Sequence, residues 1–276
     1  MTDKFNINYE RKIIWEKDLF LFVNHKTATL CWAKLTIKKG LCDVITFDSH
    51  RDFRDGIITQ GDLLALDMLP DNKKYLSSKY IRSDLLHFTS STEFMEWNLL
   101  DKERNQVLIE GQHKFFLQNN DNFIDVTFMK NIVKDVYSYY LHQQGNGNSG
   151  KCEDINGNDH FFKMSKVEKF AEPDTKFILD IDFDFFTSYD LNYELIPNNK
   201  MKDYLELMKR LGQREECIGI TIAIEPDNCG SYCNCMKISE SFSQVFGDNI
   251  MDLVKSLLES SGYTLIDFRN YSIISS

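Results

Sequence analysis

Lys176-Phe177-Ile178-Leu179-Asp180-Ile181-Asp182-Phe183-Asp184-Phe185-Phe186 opens as an apolar strand and then sets a carboxylate at every second position. Strand side chains alternate faces. Asp180, Asp182 and Asp184 therefore share one face for as long as the chain stays extended, while Leu179, Ile181, Phe183 and Phe185 take the other. Three like charges beside an apolar run cost free energy unless something positive sits among them. A metal ion is the natural candidate, and its remaining ligands should be found elsewhere in the chain.

Working outward, three more apolar runs read as buried strands: Leu19-Phe20-Leu21-Phe22-Val23, Val44-Ile45-Thr46-Phe47 and Ile218-Gly219-Ile220-Thr221-Ile222-Ala223-Ile224. Between the first two, Lys26 to Lys38 reads as a helix closed by Gly40. Met201 to Leu211 reads as an amphipathic helix closed by Gly212, and residues 240–259 as a further helix. Strand, helix, strand in succession favours an α/β fold with a mainly parallel β-sheet flanked by helices.

Elsewhere residues 57–118 read as mostly helical, with a short strand at Ser83–Phe88 and a helix over 91–104. Phe123–Phe128 and Val136–Leu141 read as strands, Ser165–Ala171 as a short helix opened by a capping box, and Tyr263–Phe268 as a last strand. The Gly- and Asn-rich segment 144–150 and Asn156-Gly157 are strong turn signals. They imply a β-hairpin insertion around 136–164 within one domain spanning 1–276.

The composition suits a folded chain: of 276 residues, 42% are apolar and 13% aromatic, enough for a sizeable core. The net charge of −10 argues against a general nucleic-acid binder and is compatible with a cationic substrate. No run approaches the roughly 18 apolar residues of a membrane span, and the N-terminus lacks a signal-like apolar segment. Seven cysteines without a disulfide-framework spacing imply reduced thiols and a cytoplasmic protein. Cys229, Cys233 and Cys235 cluster in sequence, but no fourth zinc ligand is evident.

The ends of the strands carry the chemistry. His25, the group Asp48-Ser49-His50-Arg51-Asp52, the aspartates 180, 182 and 184, and Glu225 each lie at or just beyond the end of an apolar strand. In a parallel sheet the carboxyl ends of strands share one edge, where ligands bind. Two imidazoles with this many carboxylates exceed the needs of one ion. An oxygen-rich, thiolate-free set suits a hard or borderline divalent metal such as Mn²⁺. Two such ions, sharing one water between them, would lower its pKa toward neutrality and supply a nucleophile for hydrolysis.

These motifs resemble the arginase/deacetylase superfamily. Asp48-Ser49-His50-Arg51-Asp52 matches the arginase Asp-Ala-His-x-Asp motif, the interval from His25 to His50 is similar to that of the family's first histidine ligand, and Ile222-Ala223-Ile224-Glu225-Pro226-Asp227 resembles its late strand ending in a glutamate. Leu179-Asp180-Ile181-Asp182-Phe183-Asp184-Phe185-Phe186 departs from the arginase Ser-Phe-Asp-x-Asp-Gly-Leu-Asp-Pro and is similar to a divergent branch that includes peptide arginases. The resemblance implies a three-layer sandwich and a pair of Mn²⁺ ions held by His25, Asp48, His50, Asp52 and two of the three aspartates. Either Asp180/Asp182 or Asp182/Asp184 fills the last two places.

It further implies hydrolysis of arginine residues in a ribosomally made precursor peptide to ornithine and urea, with Glu225 holding the guanidinium. His87 is the candidate for moving the proton to the leaving amine. Three competing readings are a hydrolase of a free guanidino compound, arginine or agmatine; a metal-dependent deacetylase; and, without catalysis, a metal-stabilised peptide-binding module.

Overall fold

A computed structural model describes residues 9–50, 52, 57–58, 80–81, 108–109, 112–113, 115–117, 123–129, 131–142, 149–153, 158–188 and 192–263. Its centre is an eight-stranded sheet. The strands are β1 (Tyr9–Ile14), β2 (Lys17–Phe22), β3 (Asp43–Phe47), β4 (Val136–Tyr140), β5 (Gly150–Glu153), β6 (Asp159–Lys166), β7 (Phe177–Asp182) and β8 (Cys217–Ala223). Their order is β1-β2-β8-β7-β3-β4-β6-β5. Every pairing from β2 across to β6 is parallel, and antiparallel hairpin partners close the two edges.

Helices cover both faces, so the molecule is a three-layer α/β sandwich. On one face α1 (Ala28–Lys39) and α2 (Phe123–Met129) pack on Phe20, Phe22, Val44 and Ile178. On the other, α3 (Asn198–Gln213), α4 (Tyr232–Phe246) and α5 (Ile250–Ser260) pack on Leu19, Leu21, Ile45, Leu179, Ile181 and Ile220. The period-two alternation read in the central stretch thus sends Leu179, Ile181, Phe183 and Phe185 into the second layer, while Ile178 alone joins the first and the aspartates stand apart from both. β8 is buried along its whole length, as expected of a strand covered on both sides. Gly219 lets α1 come close: a Cβ there would lie 2.4 Å from Leu35 Cδ2.

Several expected elements differ. Phe123–Phe128 is helical rather than extended, because the residues that need burial are Phe123, Ile124, Thr127 and Phe128, a helical spacing. Gly212 does not cap α3 but lies inside it, where Trp15 and Ile220 leave no room for a Cβ. The single helix expected over 240–259 is two, broken at Gly247, whose φ of 73° ends α4 in the left-handed conformation.

Ser165 opens no capping box, since it pairs with Tyr139 within β6; only a 3₁₀ turn, Val167–Lys169, follows. In the region of the expected hairpin insertion, the antiparallel hairpin is β5–β6, while Val136–Tyr140 belongs to the main parallel ladder beside β3. The described residues of 57–118, expected to be mostly helical, are instead short antiparallel strands rich in β-branched and aromatic residues: Ile57–Ile58 and Tyr80–Ile81 flank Phe115–Leu117, and Leu108–Ile109 pairs with Gln112–His113. The helix and strand expected over 83–104 and the last strand beyond Tyr263 lie outside the described residues. No described helix is long and apolar enough to cross a membrane, and no disulfide forms among the described residues.

Candidate metal centre

β2, β8, β7 and β3 are consecutive neighbours, and register aligns their ends: Phe22 pairs with Ala223, Ala223 with Asp182, and Phe47 with Ile181. The chain just past each end therefore meets at one edge. From β2 comes His25, at the start of the 3₁₀ turn His25–Thr27 that leads into α1. From β3 come Asp48, His50 and Asp52. β7 supplies Asp182 and, in the following 3₁₀ turn Phe183–Phe186, Asp184. From β8 comes Glu225, whose N–H extends the ladder to Val23 O at 3.0 Å.

Among the described residues the edge gathers more carboxylates than cations. Asp48, Asp52, Asp180, Asp182, Asp184 and Glu225 are all buried, and among the described residues no Lys or Arg is buried with them. Leaving even one carboxylate desolvated and unpaired costs several kcal/mol, as an order of magnitude. The ionisation equilibria record this. Burial, then Asp52, Asp184 and Asp182, push the Asp48 carboxyl well up, with His25 opposing. Burial and then Asp184 push Asp182 up to about 7. Burial, then Asp182, raise Glu225. Burial lowers the two histidines, but the carboxylates outweigh it: Asp180 and Asp182 hold His25 well above its usual range, and Asp184 lifts His50 to about 10.

Ligand atoms converge in three groups, each within 4.8 Å: His25, Asp48 and Asp182; Asp48, His50 and Asp184; and Asp182, Asp184 and Glu225. His25 is the most informative member. Its Nδ1 lies 2.8 Å from Asp52 Oδ2, 2.9 Å from Asp182 Oδ2 and 3.5 Å from Asp48 Oδ2. Although those oxygens crowd it, this buried nitrogen makes no well-directed hydrogen bond among the described residues. A nitrogen facing the space between three carboxylates is placed as a metal donor. The residues therefore fit a metal ion: the cluster of His25, Asp48, Asp182 and Asp184 could hold one or more.

The remaining contacts fix these groups in place. His50 N donates to Asp48 Oδ1 at 2.6 Å, and its Nδ1 hydrogen-bonds to Asp184 Oδ2. Asp184 also accepts from Ser49 N at 3.1 Å, and its own N–H donates to Asp182 Oδ1 at 3.0 Å. Glu225 Oε1 accepts from His25 N at 2.8 Å, and Oε2 from Asn228 Nδ2. Glu225 and Asp52 are held at φ of 37° and 48°, a left-handed conformation that is costly for residues with a Cβ.

Of the residues expected at the site, His25, Asp48, His50, Asp182, Asp184 and Glu225 come together in the ligand groups, while Asp52 lies beside His25 Nδ1 at 2.8 Å but gives no ligand atom to any of the three. Asp180 sits behind His25, with no ligand atom in any of the three groups. His87 lies outside the described residues. The three clustered cysteines do not converge: Cys233 is exposed, whereas Cys229 and Cys235 are buried and direct their thiols at Ile224 O. Sequence reasoning missed Thr46, Thr221, Trp32 and Asn228. Thr46 and Thr221 carry no local signal, because only strand register brings them to Asp180, and Trp32 reaches Thr221 only through the packing of α1 on the sheet; Asn228, three residues after Glu225, sits within reach of it in the same turn. The chain matches no protein-family model, and no curated protein matches it significantly.

Proposed function

We propose that this chain is a binuclear manganese hydrolase that acts on the guanidinium group of arginine within a peptide, yielding ornithine and urea. The observation that carries the reading is the pair of ligand groups sharing Asp48, one with His25 and Asp182 and one with His50 and Asp184, beside a third group that ends in Glu225. Bound there, two Mn²⁺ ions would supply Lewis acidity and bring the pKa of a water near neutral. Water adds its oxygen to the guanidinium carbon, the bond from that carbon to the side-chain nitrogen breaks, and urea leaves an amine on the peptide.

The chain's own residues supply the orientation. Hydrogen bonds from His25 N and Asn228 Nδ2 fix the orientation of the Glu225 carboxylate, and a carboxylate matches the paired donors of a planar guanidinium. A lysine ammonium does not match that fork. His50, whose side chain is 30% exposed, is the most accessible of the described ligand residues. The net negative charge favours a cationic peptide at long range.

Incubation with Mn²⁺ and an arginine-containing peptide tests this. The expected result is a loss of about 42 Da per arginine together with urea, as for guanidine hydrolysis at a metal pair. Free arginine or agmatine consumed in place of the peptide would establish the small-molecule hydrolase, and acetate released from an acetylated substrate the deacetylase. Binding of peptide and metal with arginine left intact would reduce the protein to a binding module.

A further inference from the structure

Asp180 is the one aspartate of the central stretch that stands apart from the ligand groups, and its surroundings are built rather than incidental. It is fully buried, and on the two flanking strands the residues in register with it are both threonines, Thr46 on β3 and Thr221 on β8. Thr46 Oγ1 donates to Asp180 Oδ2 at 2.8 Å, and Thr221 Oγ1 donates to Oδ1. Trp32 Nε1 donates to Thr221 Oγ1 at 3.1 Å, which engages that oxygen as an acceptor and turns its proton toward Asp180. Hydroxyls thus approach the carboxylate from both sides. His25 Nε2, at 2.8 Å from Oδ2, completes the set.

We propose that Asp180 is a positioning residue for the metal centre: it accepts the Nε2 proton of His25 and so leaves Nδ1, with its lone pair, as the donor facing Asp48, Asp52 and Asp182. Three features support it. In its neutral form an imidazole carries one proton, and of the two ring nitrogens it is Nε2 that has a directed hydrogen bond, to Asp180. Nδ1 is buried and makes no hydrogen bond although three carboxylates surround it. The ring is also clamped, with Phe123 tilted against it at 4.7 Å between centroids and the His25 backbone N–H held by Glu225. The hydrogen bond to Asp180 makes the imidazole a stronger donor, so the effect should be confined to the ion that His25 binds.

This inference rests on the metal reading above, and the experiment separates the two. Metal-free wild type and Asp180→Asn are titrated with Mn²⁺ by calorimetry, and their melting without metal is compared. Asparagine keeps the shape and the acceptor for His25 but loses the charge. One of two bound equivalents should weaken by about 10–100-fold, the usual effect of removing such a partner, while the other is unchanged. Both equivalents binding as in wild type, or both weakening equally, would overturn the proposal.

Should the variant fail to fold, NMR of wild type loaded with diamagnetic Zn²⁺ decides. His25 should show an exchange-protected Nε2 proton and a metal-bound Nδ1, and a proton on Nδ1 would overturn the assignment. Wild type that takes up no metal at all would instead sink the proposed function.

Discussion

Stripping divalent metal should make the stability of this protein fall steadily as pH rises, and adding it back should remove most of that dependence. The Asp182 carboxyl is pushed to about 7, by burial first and then by Asp184, from a reference value of 3.8. Between those values the folded state keeps a proton that the unfolded chain has already released. The folded state therefore binds more protons, and stability falls by about 1.4 kcal/mol per pH unit. From pH 5 to pH 7 that amounts to about 2 kcal/mol, the slope easing as the group becomes half titrated near pH 7.

Asp48 and Glu225, also raised, act in the same direction. So do the histidines. The stability gained from a raised imidazole is fully present below its unfolded pKa of about 6.5. It is lost as pH climbs through the folded value, about 10 for His50. At about 2–4 °C per kcal/mol for a chain of this size, Asp182 alone lowers Tm by about 4–8 °C between pH 5 and 7. Cations among the carboxylates remove the reason for holding those protons, and metal at a hundredfold excess over Kd adds about 2.7 kcal/mol. Scanning calorimetry at pH 5, 6, 7 and 8, with chelator or with Mn²⁺, measures both effects. A chelated Tm that is flat or rises from pH 5 to 7, or the absence of any Mn²⁺ effect at pH 8, would refute the electrostatic account of the cluster.

Three further outcomes are expected. Asp182→Ala and His50→Ala remove direct ligand atoms, so turnover of an arginine peptide and bound manganese should both drop by more than the ~10²-fold seen for outer partners; full metal content in either variant would contradict this. Glu225→Gln keeps the shape but weakens the pairing with a guanidinium by about 1.5–3 kcal/mol, so KM should rise roughly tenfold to a hundredfold while bound metal holds. Gly219→Ala forces a methyl against Leu35, a contact of 2.4 Å, and should cost about 1–3 kcal/mol in a urea melt; an unchanged midpoint would show that α1 can shift freely.

Much of the architecture is legible without coordinates, because alternation and burial are local properties. Phe177–Asp182 and Cys217–Ala223 are recognisable as buried strands from their own residues, and carboxylates just past a strand end can be assigned to a shared edge of a parallel sheet. For that reason His25, Asp48, His50, Asp52, Asp182, Asp184 and Glu225 could all be named in advance. Local pattern was ambiguous where two periods fit the same few residues. Phe123–Phe128 satisfies a short strand as well as a short helix, and only its packing against Trp32 and His25 selects the helix.

What the chain alone could not decide is which of three evenly spaced aspartates stands apart from the metal ligand groups. Asp180, Asp182 and Asp184 are equivalent by spacing. They differ because register sets Thr46 and Thr221 on either side of Asp180, and because the strand ends at Asp182, so that Asp184 enters a 3₁₀ turn and meets His50. Register joins segments far apart in the chain and is fixed by how two apolar layers pack across the sheet. The division of labour among those aspartates therefore belongs to the tertiary structure, while the carboxylates themselves, and the charge they must share, were written in the sequence.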